Sequence, residues 1–139
     1  MKKAMLILCF ISVLFSISSC SLDTVDENFQ FTTLQIVAAD FPESFDHNQI
    51  YEIDVTLIRP NGCTFFEGFE VEAESTTTRV ITAIGTVLTD EACTEAIEEV
   101  TATFNFRVDY TETYLFRFYS GSDEAGNATY VEYEVPVNQ

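Results

Sequence analysis

The sequence predicts an all-β domain, a two-sheet antiparallel sandwich of about seven strands, set behind an N-terminal leader. Two observations carry this expectation. From residue 29 onward, apolar and polar residues alternate in run after run, the period that a half-buried strand imposes because successive side chains leave opposite faces. Between the runs stand short groups rich in Gly, Asp, Asn and Ser, which favour turns. A sheet that is apolar on one side must bury that side on another layer, so strands this short and this numerous point to two packed sheets.

The first run is FQFTTLQIV at 29–37. In YEIDVTLI at 51–58, Tyr51, Ile53, Val55 and Leu57 share one face, and Glu52, Asp54 and Thr56 take the other. FEVEAE at 69–74 repeats the pattern, with Phe69, Val71 and Ala73 expected inward and Glu70, Glu72 and Glu74 outward in water. RVITAIGTVLT at 79–89 supplies a further strand. TDEACTEAIEEV carries a trace of helical spacing through Ala92, Ala96, Ile97 and Val100; it reads as one helical turn or as a loop entering a strand. In TATFNFRV, Ala102, Phe104, Phe106 and Val108 oppose Thr103, Asn105 and Arg107. TYLFRFY and TYVEYEVPV then form a hairpin about SGSDEAGNA, where Gly121, Asp123, Gly126 and Asn127 are the turn formers. Pro136 has no N–H to donate and belongs at an edge or a strand end.

The leader explains the cysteine at position 20. Lys2 and Lys3 precede the apolar run from Ala4 to Ile17, the layout of a secretory signal and too short for a membrane span, which needs about 20 apolar residues. Ile17-Ser18-Ser19-Cys20 resembles the lipobox of bacterial lipoproteins. That resemblance implies that the Cys20 thiol accepts a diacylglyceryl group, that cleavage makes Cys20 the acylated N-terminus, and that several acyl chains give lasting attachment to a membrane. Three segments follow: a lipoprotein signal peptide at 1–19, a lipidated tether at 20–28 and a β-sandwich domain at 29–139. Ser21, in place of the Asp that resembles an inner-membrane retention signal, favours the outer membrane. Asp23-Thr24-Val25 resembles the O-glycosylation site of Bacteroidetes, with Thr24 as acceptor. Cys9 lies within the discarded segment.

After cleavage, four arginines face all 23 acids, a net charge of −19 with no lysine. Such a chain repels phosphate backbones and anionic head groups, which argues against nucleic acid as a partner. Its Phe, Tyr, Val and Ile content nonetheless supplies enough apolar surface for a folded core. Cys63 and Cys93 are then the remaining thiols. In an oxidising envelope, with no CxxC or histidine cluster beside them, they are expected to form a disulfide near strand ends. Closing a loop of that length stabilises by about 3–4 kcal/mol.

Tyr114, two residues before Phe116 at the start of a late strand, resembles the tyrosine corner of immunoglobulin-like domains. More widely, ATFNFRVDYTETYLFRFYSGSDEAGNATYVEYEVPV resembles the C-terminal half of small flavobacterial envelope lipoproteins with an immunoglobulin-like sandwich. The resemblance implies that fold and an envelope location; it supplies no catalytic residue.

The sequence offers no strong chemical site. There is no GxSxG motif, phosphate loop or zinc spacing, and His47, the single histidine, stands in the polar stretch ESFDHNQ. No cofactor is expected. For calcium the candidates are Asp123, Glu124 and Asn127 with Ser122, residues that a hairpin turn also requires on its own account. Tyr110, Tyr119, Tyr130 and Tyr133 could serve as a platform for sugar rings or pack within the fold. The expected function is that of a non-enzymatic, lipid-anchored cell-envelope lipoprotein acting as a binding or structural interaction domain, with a protein or glycan partner. A carbohydrate-binding or adhesion accessory is the alternative, marked by a coplanar tyrosine pair in a groove. A small hydrolase is less favoured, marked by His47 near a serine or carboxylate in a pocket.

Overall fold

The computed structural model describes residues 28–139. The leader, Cys20, Thr24 and all but the last residue of the tether lie outside the described residues. Among the described residues there are nine strands and no helix: β1 (Phe29–Asp40), β2 (Phe45–Asp46), β3 (Ile50–Arg59), β4 (Thr64–Ala73), β5 (Thr78–Leu88), β6 (Glu98–Arg107), β7 (Tyr114–Ser122), β8 (Ala128–Val135) and β9 (Val137–Asn138). Seven form one sheet in the order β6-β3-β1-β5-β7-β8, with β4 on the outer side of β5. The short β2 and β9 pair separately.

The sheet folds over on itself through β1. Its first half, from Phe29 to Leu34, pairs antiparallel with Leu88 to Ala83 of β5. Its second half, from Gln35 to Asp40, pairs with Ile58 to Asp54 of β3, with a β-bulge between Ile36 and Ala38. The extra residue of a bulge bends a strand and sharpens its twist. β3 and β6 are thereby turned over β4, β5, β7 and β8. Three strands separate β6 from β7 along the sheet, yet the Phe106 and Phe116 ring centroids are 4.9 Å apart, and Phe69 of β4 meets Phe104 of β6 at 5.6 Å.

The enclosed core is aromatic. Phe45, Tyr114, Phe116 and Phe118 are fully buried, together with Leu34, Ile36, Ile53, Val55, Leu57 and Ile81. Phe45 reaches in from β2 against Tyr51, Phe106, Tyr114 and Phe116, and its N–H donates to the Pro136 carbonyl at 2.8 Å. Aromatic pairs at these separations add roughly 0.5–1.5 kcal/mol beyond area burial. The alternation expected for 51–58 holds, with Ile53, Val55 and Leu57 buried and Glu52 and Asp54 exposed. The last hairpin also forms where expected, and Pro136 falls between β8 and β9.

Two expectations need correction, and one open alternative is decided. The sheet is mixed and not purely antiparallel: β5 and β7 run parallel from Thr78↔Leu115 to Ile81↔Phe118, and β2 and β9 are parallel too. The chain leaves β5, crosses to the other half to build β6, and returns to β5 from its starting end, which gives the same direction. Of the two readings of TDEACTEAIEEV the loop entering a strand is the one that forms, with residues 89–97 irregular and β6 beginning at Glu98. Val71 shares a sheet face with buried Ile81, yet it is 45% exposed, and Ala73 is exposed. Alternation set their direction, but β4 is an outer strand whose far end extends past the opposing half.

Candidate functional site

The end of the domain where the chain enters is built from four segments. Phe29 begins β1, Leu88 ends β5, Thr64 begins β4, and the irregular stretch 89–97 crosses to β6. Cys63 and Cys93 form a disulfide here across a sequence separation of 30, near strand ends as the sequence suggested. The turn before β4 is set by Asn61, whose Oδ1 accepts from the Cys63 N–H at 3.0 Å and from Thr64 Oγ1 at 2.8 Å. Thr64 is fully buried, and this bond satisfies its hydroxyl. The Gly62 N–H donates to the Thr94 carbonyl at 2.9 Å, and Thr89 N–H to that of Asn28 at 3.0 Å.

The outward sheet face at this end is aromatic. Register places Phe31, Thr86 and Phe65 in one row across β1, β5 and β4, with Phe29 opposite Leu88 in the next row. Phe31 is 71% exposed and Phe65 42%, and the Phe29 and Phe31 rings meet edge to face at 5.6 Å. Phe29, Phe31, Glu67, Thr86 and Leu88 line a shallow cleft of about 270 Å³, within which the Thr86 hydroxyl donates to Glu67 Oε1 at 2.6 Å. A second cleft, of about 250 Å³, opens where β1 passes from β5 to β3 and is lined by Thr32, Gln35, Asn61 and Thr64 among others. The sequence analysis missed the aromatic face. Its signal is a change of phase within one strand: Phe29 and Phe31 are odd, Leu34 and Ile36 even, so one pair must face out.

Farther along the same outward face, Arg117 of β7 joins β8 to the turn that follows β4. Its Nε donates to Glu132 Oε1 at 2.9 Å, its Nη1 reaches both carboxylate oxygens of Glu74 at 3.1 and 3.2 Å, and its guanidinium lies 4.4 Å from the Tyr130 ring centroid. The Glu132 and then the Glu74 carboxylates hold its proton more tightly than an ordinary guanidinium. Glu74 is exposed as expected, and on that surface it also pairs with Arg117. The other arginines are engaged as well: Arg59 with Glu98, Arg107 with Asp109 at 2.7 Å, and Arg79 with the carbonyls of Ser75, Thr76 and Thr78. Acids therefore dominate the outward surface.

The remaining candidates fall apart from one another. In the β7–β8 turn, Asp123 Oδ1 accepts from the N–H groups of Ala125 and Asn127 at 2.9 and 2.8 Å, while Oδ2 accepts from Asn127 Nδ2 at 3.0 Å. The Asn127 side chain, then its backbone N–H, holds the Asp123 carboxyl below the usual range. Glu124 is exposed and makes no part of this arrangement. Asp123 thus organises its own turn, with Gly126 at φ 83 supplying the left-handed step. Among the described residues, no group of three or more His, Cys, Asp or Glu is placed to hold a metal ion.

His47 is exposed; its Nε2 lies 3.3 Å from the Asp109 carbonyl and its Nδ1 3.1 Å from Asn48 Nδ2, neither a serine nor a carboxylate. Tyr119 and Tyr130 meet edge to face at an interplanar angle of 76°, not coplanar. Tyr133 packs on the core, its hydroxyl accepting the Ala39 N–H at 3.0 Å. Tyr114 has the hydrogen bonds of a corner: its buried hydroxyl accepts from Asp109 N–H at 3.1 Å and from Tyr110 N–H at 3.0 Å. Compared with family models, curated proteins and solved structures, the chain gives no match.

Proposed function

We propose that the chain is a lipid-anchored cell-envelope lipoprotein, attached through Cys20 to the outer membrane and acting without catalysis as a binding or structural interaction domain, in the manner of the flavobacterial lipoproteins it resembles. The observation that carries this is the opening segment: two lysines, an apolar run too short to span a membrane, and the small residues before Cys20. The domain that follows supports it. A disulfide suits an oxidising compartment, and the Cys63–Cys93 pair stitches a long irregular segment to the start of β4.

An immunoglobulin-like sandwich is the fold this reading assigns, and the corner bonds of Tyr114 and the facing aromatic layers of β6 and β7 speak for it. The parallel β5–β7 pair is its departure from a fully antiparallel pattern. Partners would be protein or glycan and not nucleic acid, since the four arginines are committed to internal acids or carbonyls. The glycan reading is not favoured over a protein partner, because Tyr119 and Tyr130 are crossed and Arg117 occupies the Tyr130 ring.

Mass spectrometry of the N-terminus tests the proposal. Wild type should begin at an acylated Cys20 and fractionate with membranes, and Cys20→Ser should lose both properties. An uncleaved, unacylated wild-type chain in the soluble fraction would overturn it.

A further inference from the structure

We infer that the aromatic face formed by Phe29, Phe31, Phe65 and Leu88 seats in the head-group boundary of the membrane that holds the anchor, fixing the orientation of the domain on that surface. The inference rests on the proposed acylation of Cys20 and adds to it a second contact, made by the folded domain. Phe31 is 71% exposed and Phe65 42%, and register holds them on one outward face with Phe29 and Leu88. An apolar group of this kind, gathered on one face of a strongly acidic chain, calls for an apolar occupant.

The chain outside the described residues says which occupant. The face begins at the first strand residue, and nine residues run from Cys20 through Asn28. Fully extended, they span at most about 30 Å, at roughly 3.3–3.6 Å per residue. An anchor at Cys20 therefore keeps this end close to the lipid. Aromatic side chains favour the boundary between acyl chains and head groups.

Charge along β4 points the same way. From the entry end outward, the exposed face runs from Phe65 through Glu67 to Glu70, Glu72 and Glu74. At about 3.4 Å per residue, Glu72 stands roughly 20–25 Å beyond Phe65. On this face the apolar groups lie at the anchored end and Glu70, Glu72 and Glu74 stand farther out, while Asp90, Glu91 and Glu95 of the irregular stretch edge the same end. Glu67, bonded to the Thr86 hydroxyl at the inner edge of the face, limits seating to head-group depth. A second copy of the chain fits this face poorly, since pairing would bring two strongly acidic domains and both Glu67 carboxylates together.

The chain has no tryptophan, so a single one is a clean reporter. The test places Phe31→Trp, and separately Glu72→Trp on the same face, in the full acylated protein reconstituted in phosphatidylcholine vesicles with brominated acyl chains. Emission from Phe31→Trp should shift to the blue and be quenched several-fold more than that from Glu72→Trp, and adding Phe65→Ser should weaken the quenching. Equal quenching at the two positions, with acyl mass present on Cys20, would overturn the seating while leaving the anchor intact. Absence of acyl mass on Cys20 would overturn both. A blue shift without quenching would overturn the seating as well: in detergent, one that grows with protein concentration assigns the face to a second copy, and one that does not assigns it to the tether.

Discussion

The hydroxyl of Tyr114 receives two backbone N–H groups at once, from Asp109 at 3.1 Å and Tyr110 at 3.0 Å, while its ring lies fully buried against Phe106 at 5.1 Å between centroids. One side chain thereby ties the link between β6 and β7 to the core. Tyr114→Phe keeps the ring and strips both donors of their acceptor. A loss of about 1–3 kcal/mol is expected, since that is the penalty for leaving part-buried donors unsatisfied. Urea unfolding of the two proteins measures it; an unchanged midpoint would mean that water replaces the hydroxyl without loss.

Phe116 and Phe31 share the residue type and differ in burial. Phe116 is 0% exposed among Phe41, Phe45 and Phe106, and Phe116→Ala should lose about 3–5 kcal/mol through the cavity it leaves. Phe31→Ala, at an exposed site, should stay within about 0.5 kcal/mol of wild type. Thermal unfolding of both variants checks the contrast. A large loss at Phe31 would give that ring a structural duty and weaken its assignment to the membrane.

Replacing both Cys63 and Cys93 by alanine should remove about 3–4 kcal/mol, because the open chain regains the entropy of a loop of 30 residues. Hydrogen exchange should rise first at residues 89–97, which have no strand ladder to hold them. The same double variant under reducing conditions should match wild type treated with reductant.

Asp123 gives a pH signature with a definite sign. Its carboxyl titrates below the ordinary value of 3.8, because Asn127 and the turn's N–H groups bind the charged form. The stability it contributes is therefore fully present above 3.8 and is lost as pH falls through the depressed folded value. Carboxyl NMR should report that low titration in wild type. Asp123→Asn should lower stability at neutral pH, where the contribution is present, and converge with wild type in acid, flattening the acid limb of the profile.

The strands were legible where burial is one-sided. Ile53, Val55 and Leu57 alternate with Glu52, Asp54 and Thr56 because β3 has one face on the core, and the period follows. Direction was not legible in the same way. Nothing in RVITAIGTVLT or TYLFRFY tells whether the two lie parallel, because side-chain alternation is the same in both pairings and only the path through β6 decides. Val71 shows a further limit: period gives the face a residue points to, while coverage depends on how far the opposing half extends. Phe31 and Phe65 were legible in principle, through the conflict of phase in β1 and the adjacent Phe65-Phe66 in β4. The Arg117 group was not, since Glu74, Arg117 and Glu132 lie far apart in sequence and meet only when β4, β7 and β8 do.

β1 is shared between two ladders, six residues to β5 and the rest to β3. Under the proposed anchor, drag on the domain is carried through the chain that enters at Phe29 and loads this strand along its own axis. Bonds lying across such a pull resist together in shear, where a peeled hairpin would yield one rung at a time. The first strand is then a mechanical rivet, and tearing it out would open the whole body at once and not merely fray one side.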